Sequence, residues 1–464
     1  MKAVVVGGGL AGSCAALELA SRGADVTLVS AAPGATALSW GTLDVAAASP
    51  LRRGGLPLHD AASGRPLAPI GRMHAVAAAN PAHPYAMLLR ARGPEEEVKE
   101  AVAALDAWLA PSGVRVQGSL EQTRWLADVH GALRAADLAF SGAGEGDLDS
   151  ADEIALVDVP GLPGFEVRSA LRTLAAEMAA VGLTSRALSI VRLALPDSLR
   201  DVAAQPARFA RCLDTDAVRG ALQGAVAALG AEGRLLLFPP VLGLEPAAGT
   251  RAWIEATAGC RAAELVGAPS LSLAGFRLDR ALAAAQGRAR VARIAGRVQR
   301  IDVEGARVRA VQLTVSQGAG PPGQHAGREA PGPPSEQAAA ATLACNALVL
   351  ATGRFVGGGI VERGGQLVEP LLGLPLHDLA GRRVDGLAAR QLVRSDYEGE
   401  QPLFGTGVRT DMRLRPLGSD GLPHFANCFA AGDLLGSFDP ARDRTGFGVA
   451  LLSGRRAGIE ASSC

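Results

Sequence analysis

The stretch Lys2–Gly12, KAVVVGGGLAG, restricts this chain more than any other. A short apolar run enters glycines spaced G-x-G-x-x-G at Gly7, Gly9 and Gly12, and an Ala/Leu-rich helical pattern leaves them. That is the fingerprint of a βαβ unit that binds a dinucleotide. Gly7 permits the tight turn after the strand. Gly9 lets a phosphate approach the backbone where a Cβ would collide with it. Gly12 lets the helix pack close to the sheet. The helix N-terminus then aims unpaired N–H groups and a partial positive charge at the phosphate. The same spacing can serve a plain structural turn, so its flanks matter. They fit the first reading, with a strand before, a helix after, and a second strand expected at Asp25–Ser30, DVTLVS.

One position departs from the pattern. An acidic residue at the end of that second strand usually holds a nucleotide ribose. Here Ser30 stands there, followed by two alanines. A serine offers a hydrogen bond without a charged acceptor. The spacing therefore points to a phosphate-bearing cofactor whose adenosine half has a weak hold.

The 464 residues exceed one ordinary core, so two or three domains are expected. Formal net charge is zero, which gives no sign of a nucleic-acid or anionic-membrane surface. Lys2 and Lys99 are the only lysines, and the excess of arginine and alanine reads as genome composition. The six cysteines, Cys14, Cys212, Cys260, Cys345, Cys428 and Cys464, form no C-x-x-C. No iron–sulfur or zinc site is expected on this chain, and scattered cysteines suit a reducing cytoplasm. The apolar N-terminus is better explained by its glycine spacing than by a signal peptide. No apolar run approaches the ~18 residues of a membrane span.

Along the chain, Thr36–Asp44 (TALSWGTLD) is a small, polar loop carrying Ser39, Gly41 and Thr42. In flavoproteins of this architecture such a loop runs under the isoalloxazine ring, and an ordinary solvated turn is the other reading. Residues 50–80 read as loop. NPAHPY (80–85) leads into helical patterns, with His83 and Tyr85 facing either a pocket or loop packing. Residues 291–316 alternate apolar and polar positions, predicting a hairpin that turns near Glu304-Gly305. Gln317–Ala341 is low-complexity and reads as a disordered surface insertion. Cys345–Gly353 (CNALVLATG) then predicts a buried parallel strand whose end, Thr352-Gly353, is a second phosphate- or flavin-side element. The fold class expected is α/β, a Rossmann-like FAD/NAD(P)-binding domain in a three-layer arrangement with an inserted α+β domain. The binding domain comprises residues 1–110 and 285–464, and residues 111–284 form a substrate, cap or partner-facing insertion.

Near the end, Phe429–Asp433 reads as an apolar strand entering Ala-Gly-Asp. Gly432 allows backbone contact, and the Asp433 carboxylate can accept hydrogen bonds from ribityl hydroxyls. Gly446-Phe447-Gly448 opens a helix to about Ile459, whose N–H groups favour negative charge on a reduced flavin pyrimidine. Among the arginines beside these glycines, Arg409 and Arg442 are the candidates for holding an anion.

The chain resembles the B subunits of anaerobic glycerol-3-phosphate dehydrogenases. The likeness rests on GGGLAG, SWGTLD, NPAHPY, LATGRFVGGGI, GVRTDMRLRP and AAGDLLGSFDP running into GFGVAL. More broadly, both ends are similar to flavoproteins of the fumarate-reductase and succinate-dehydrogenase type. The resemblance implies a three-part assembly. A catalytic A subunit oxidises glycerol 3-phosphate to dihydroxyacetone phosphate, this B-type chain carries a second flavin, and an iron–sulfur C subunit passes electrons to membrane quinone. It implies FMN, with FAD as the alternative that the glycine fingerprint favours. It also implies a cytoplasmic location at the inner face of the membrane through a partner. A self-sufficient FAD oxidoreductase would instead use His83 and Arg409 for proton movement and substrate positioning. A scaffold that has lost its flavin is a third reading.

Overall fold

In the computed structural model the described residues are 1–46, 67–90, 94–267, 272–316, 339–396 and 399–464. They form two compact units. The first is assembled from Met1–Thr36, Ile70–Leu105 and Leu282–Cys464, and the second from Ala37–Pro69 and Asp106–Ala281.

The first unit is built on a seven-stranded sheet. Its strands are β1 (Lys2–Val6), β2 (Asp25–Ser30), β3 (Ala292–Glu304), β4 (Arg307–Val315), β5 (Ala339–Ala344), β6 (Ala347–Leu350) and β7 (Cys428–Ala430), in the order β5-β4-β3-β2-β1-β6-β7. Five of them, from β3 across to β7, run parallel. β1 and β6 are continuous apolar runs because both of their faces are covered. The register sets Val6 beside Leu350 and Leu350 beside Ala430, so β1, β6 and β7 end level with one another.

Helix α1 (Leu10–Ser21) is buried from Leu10 through Glu18 to Leu19, and its small residues let neighbours come close on every side. One neighbour is the last helix, Gly446–Ala461. A Cβ on Gly454 of that helix would lie 2.3 Å from the Ala11 carbonyl oxygen. Only glycine permits this crossing of head and tail.

Two expectations change. Residues 50–80 read as loop, yet Pro69–Ala79 is a helix, with Met73 and Val76 buried. Its alanine- and glycine-rich composition hid an apolar stripe that only packing reveals. Of the proposed insertion Gln317–Ala341, residues 317–338 lie outside the described residues. Ala339–Ala341 belong to β5, which pairs antiparallel with β4. An alanine run has no strand signature of its own; the free edge of the hairpin recruits it. The hairpin itself turns where expected, with Gly305 at φ +57°.

The second unit is organised on four parallel strands in the order Arg261–Glu264, Arg234–Phe238, Glu153–Asp158, Ala187–Arg192, with helices packed around them. Two small antiparallel sheets accompany it. Its core includes Ile154, Leu156, Phe209, Leu236 and Phe238.

Candidate functional site

Ligands of open α/β sheets bind beyond the carboxyl ends of the strands. In the first unit the level ends of β1, β6 and β7 deliver three turns side by side: Gly7–Gly12, Ala351–Gly353 and Ala431–Asp433.

The three glycines of the first turn differ in what requires them. Gly7 has φ +114°, and a Cβ there would lie 2.1 Å from the Ala351 carbonyl oxygen. A Cβ on Gly12 would lie 1.9 Å from the Gly7 oxygen. Both are demanded by the fold. Gly9 is not: its Cβ would meet nothing nearer than Thr36 Oγ1 at 3.5 Å. That is ordinary contact distance, so the fold alone does not require glycine here, as expected of a position kept small for a phosphate.

Thr36 also caps the helix, its Oγ1 accepting the Leu10 N–H at 2.8 Å. Its own proton stays available to a phosphate oxygen. The sequence reading missed Thr36, because nothing local ties it to a helix that starts 26 residues earlier. Ser30 Oγ donates to the Ala32 carbonyl at 2.7 Å and sits over Gly8. Its proton is already engaged, which leaves an acceptor oxygen and no charge at the usual ribose position.

At the second turn, Thr352 Oγ1 is buried and has no hydrogen-bond partner. A buried hydroxyl without a partner is rare in a finished structure and points to an absent ligand or water. Two residues on, Arg354 turns inward. Its Nε donates to the Asp433 carbonyl (3.2 Å), and its Nη2 to the carbonyls of Leu435 (3.0 Å) and Phe438 (3.2 Å). Its guanidinium lies 5.1 Å from the Phe438 ring centroid. This buried cation folds the segment after β7 into its shape, a role that only tertiary structure discloses.

At the third turn, Gly432 adopts φ +68° and donates its N–H to Ser453 Oγ at 2.9 Å. The Asp433 carboxylate accepts no hydrogen bond from the described residues. Burial raises its pKa above the ordinary carboxylate value, and the Arg354 charge works against that rise. Both oxygens are therefore available to hydroxyl donors. Thr445 is the N-cap of the last helix, and Val449 N–H makes the first helical bond, to the Thr445 carbonyl. The N–H groups of Gly446, Phe447 and Gly448 precede that bond and form the positive end of the helix.

His83 is held inside the fold. It is 1% exposed, and its Nδ1 accepts the Tyr85 N–H at 3.0 Å, capping the short helix Pro84–Leu88. Its Nε2 faces Thr445 Oγ1 at 3.4 Å. Burial pushes its pKa down to about 3, so the ring is neutral throughout the physiological range. The NPAHPY loop docks on the tail, with Asn80 Nδ2 on the Ser437 carbonyl at 2.8 Å and the His83 ring edge-on to Phe438.

Arg409 is exposed, and no carboxylate pairs with it among the described residues; Arg442 is exposed as well. Ser39, Gly41 and Thr42 belong to the second unit. They are not a solvated turn. Ser39 and Thr42 are buried, and Thr42–Leu43 is a strand paired with Leu138–Phe140.

The donors and acceptors in the first unit suit a flavin nucleotide. There is a glycine at position 9 that the fold alone does not require, a free hydroxyl at Thr352, an unengaged carboxylate at Asp433 and a helix N-terminus at Gly446–Gly448. The chain matches the FAD binding domain family over residues 2–449. It is 28% identical over 457 residues to the B subunit of the anaerobic glycerol-3-phosphate dehydrogenase of Yersinia pseudotuberculosis, covering 97% of this chain and 95% of that protein. The B subunit of the Pectobacterium carotovorum enzyme is 28% identical over 464 residues, with 97% and 96% covered. A Halobacterium salinarum protein, named as a "probable" B subunit of the same enzyme, is 30% identical over 472 residues, with 99% and 97% covered. The chain therefore belongs to the FAD binding domain family of oxidoreductases and to the family of anaerobic glycerol-3-phosphate dehydrogenase B subunits.

Proposed function

We propose that this chain is the flavin-carrying component of a quinone-linked glycerol-3-phosphate dehydrogenase. It works with a catalytic A subunit and an iron–sulfur C subunit in oxidising glycerol 3-phosphate to dihydroxyacetone phosphate, and passes the electrons toward quinone. The observation that carries this reading is the level ending of β1, β6 and β7, which sets Gly9, Thr352 and Asp433 around one end of one sheet. The proposal places the chain at the inner membrane face through a partner; no helix among the described residues is long and apolar enough to cross a membrane.

In this reading the Gly9 backbone and Thr36 hold the cofactor phosphate, and Asp433 accepts from the ribityl hydroxyls. When bound, the flavin takes up and hands on the reducing equivalents. The N–H groups of Gly446–Gly448, at the positive end of the last helix, would favour the negative charge of a reduced ring held there. Neutral His83 holds Thr445, and with it the start of that helix, in place. The first unit carries the cofactor, and the second serves substrate or partner.

FAD is the direct reading of the family match. Ser30, uncharged and with its proton engaged, favours FMN, because it stands at the position where a carboxylate usually holds an adenosine ribose. Acid extraction of the purified chain followed by chromatography identifies the nucleotide. A chain that holds neither flavin, even after reconstitution, refutes the proposal and leaves a scaffold. The unpaired Arg409 favours one rival, a self-sufficient FAD oxidoreductase acting on a small anion. Turnover of glycerol 3-phosphate or a dicarboxylate by the isolated chain would establish that rival. Quinone reduction that requires all three subunits supports the proposal.

A further inference from the structure

Gln286 stands in a run of alanines near the end of helix Leu273–Arg288, 1% exposed, within the first unit. Its Nε2 donates to Ser13 Oγ at 2.9 Å, and its Oε1 is buried without a partner. Ser13 Oγ donates in turn to the Gly8 carbonyl at 3.4 Å, while the Ser13 N–H is engaged by the Gly9 carbonyl at 2.9 Å. Three residues thus form a relay that ends on the peptide joining Gly8 to Gly9.

We propose that Gln286 and Ser13 are positioning residues for the flavin phosphate, acting through that peptide. A trans peptide is planar, and its C=O and N–H point in opposite directions. Holding the Gly8 carbonyl back along α1 turns the Gly9 N–H the opposite way, off the helix and toward the side where the proposal seats the phosphate. The polarity of the relay matters. The Gln286 amide fills an acceptor site on the Ser13 oxygen, which leaves the hydroxyl proton for Gly8. A carboxylate of the same size would take that proton for itself and release the Gly8 carbonyl.

This inference rests on the flavin reading above, and its test separates the two. Apo protein is titrated with FMN and with FAD, following flavin fluorescence, for the wild type, S13A, Q286M and Q286E. Melting of each apo protein is followed by circular dichroism. S13A is expected to weaken flavin binding about tenfold while melting close to the wild type. Q286M, which leaves the serine proton on Gly8, is expected to weaken it only a few-fold. Q286E is expected to bind weakly at pH 8 and to regain affinity relative to the wild type as pH falls, because a protonated carboxyl again donates to Ser13. In phosphorus NMR the bound flavin phosphate should shift in S13A. If Q286E does not fold, S13A and Q286M still decide. Binding within twofold of the wild type in S13A, or affinity losses that only track losses in melting temperature, would overturn the inference. A wild type that binds no flavin would overturn the flavin reading itself.

Discussion

A Cβ added to Gly432 would lie 2.7 Å from the Ala11 methyl group, so the turn after β7 is seated directly on the first turn of α1. Gly432 also holds φ +68°, a conformation that costs an L-residue on the order of 1–2 kcal/mol. Overpacking adds about 1–3 kcal/mol. Gly432→Ala is therefore expected to lower unfolding stability by about 2–5 kcal/mol in urea titration, and to reduce flavin retention. A change under about 0.5 kcal/mol would mean that head and tail are not locked at this point.

Gly9 and Gly12 separate cofactor from fold. At Gly12 the Cβ would stand 1.9 Å from the Gly7 oxygen, and at Gly9 the nearest atom is 3.5 Å away. Gly12→Ala should fold poorly or lose about 1–3 kcal/mol. Gly9→Ala should leave apo stability within about 0.5 kcal/mol of the wild type and still lose flavin. Circular dichroism melts alongside flavin absorbance measure both, and normal flavin content in Gly9→Ala would remove the phosphate cradle from the account.

Arg354→Met tests the buried cation beneath the tail loop. The methionine fills similar volume and leaves the carbonyls of Asp433, Leu435 and Phe438 without their donor. The expected loss is on the order of 3 kcal/mol, since charged donors are worth more than neutral ones and the acceptors stay buried. Flavin retention should fall with it, because Asp433 sits on the loop that Arg354 holds. Retained flavin with unchanged stability would place the control of the loop elsewhere.

His83 sets an acid limit. Its pKa is about 3 in the folded chain against 6.5 for the ordinary side chain. Between those values the unfolded chain binds a proton that the folded chain refuses, so stability falls as pH drops below about 6.5. At about 1.4 kcal/mol per pKa unit, the loss is on the order of several kcal/mol by pH 3. His83→Asn keeps a capping acceptor for the Tyr85 N–H and removes the titration. Its acid-unfolding midpoint should move to lower pH than that of the wild type, and an unchanged midpoint would assign the acid limb to other groups.

Much of the site's frame was legible along the chain. The strand–glycine–helix–strand opening, the hairpin turning at Gly305 and the helix that starts at Gly446 each follow from a local pattern: an apolar run, a period of two, a glycine pair before a helical stretch. Thr36 and Arg354 were not legible as site-shaping residues. Each acts on backbone groups far away in sequence, and no neighbouring residue records that. His83 invited a chemical role because histidine titrates near neutrality; its burial, with Tyr85 and Phe438 against the ring, lowers its pKa to about 3, and no local pattern records that.

By itself the sequence determined where the backbone must turn tightly and which runs must be buried, because glycine's freedom and apolar periodicity act within a few residues. Tertiary structure alone decided that Ala37–Thr42 joins the second unit, that Ala339–Ala344 pairs as an edge strand, and that Gly432 rests on Ala11. Those outcomes depend on which distant surface offers a free hydrogen-bonding edge or a gap one methyl wide. The chain meets such surfaces only once it has folded.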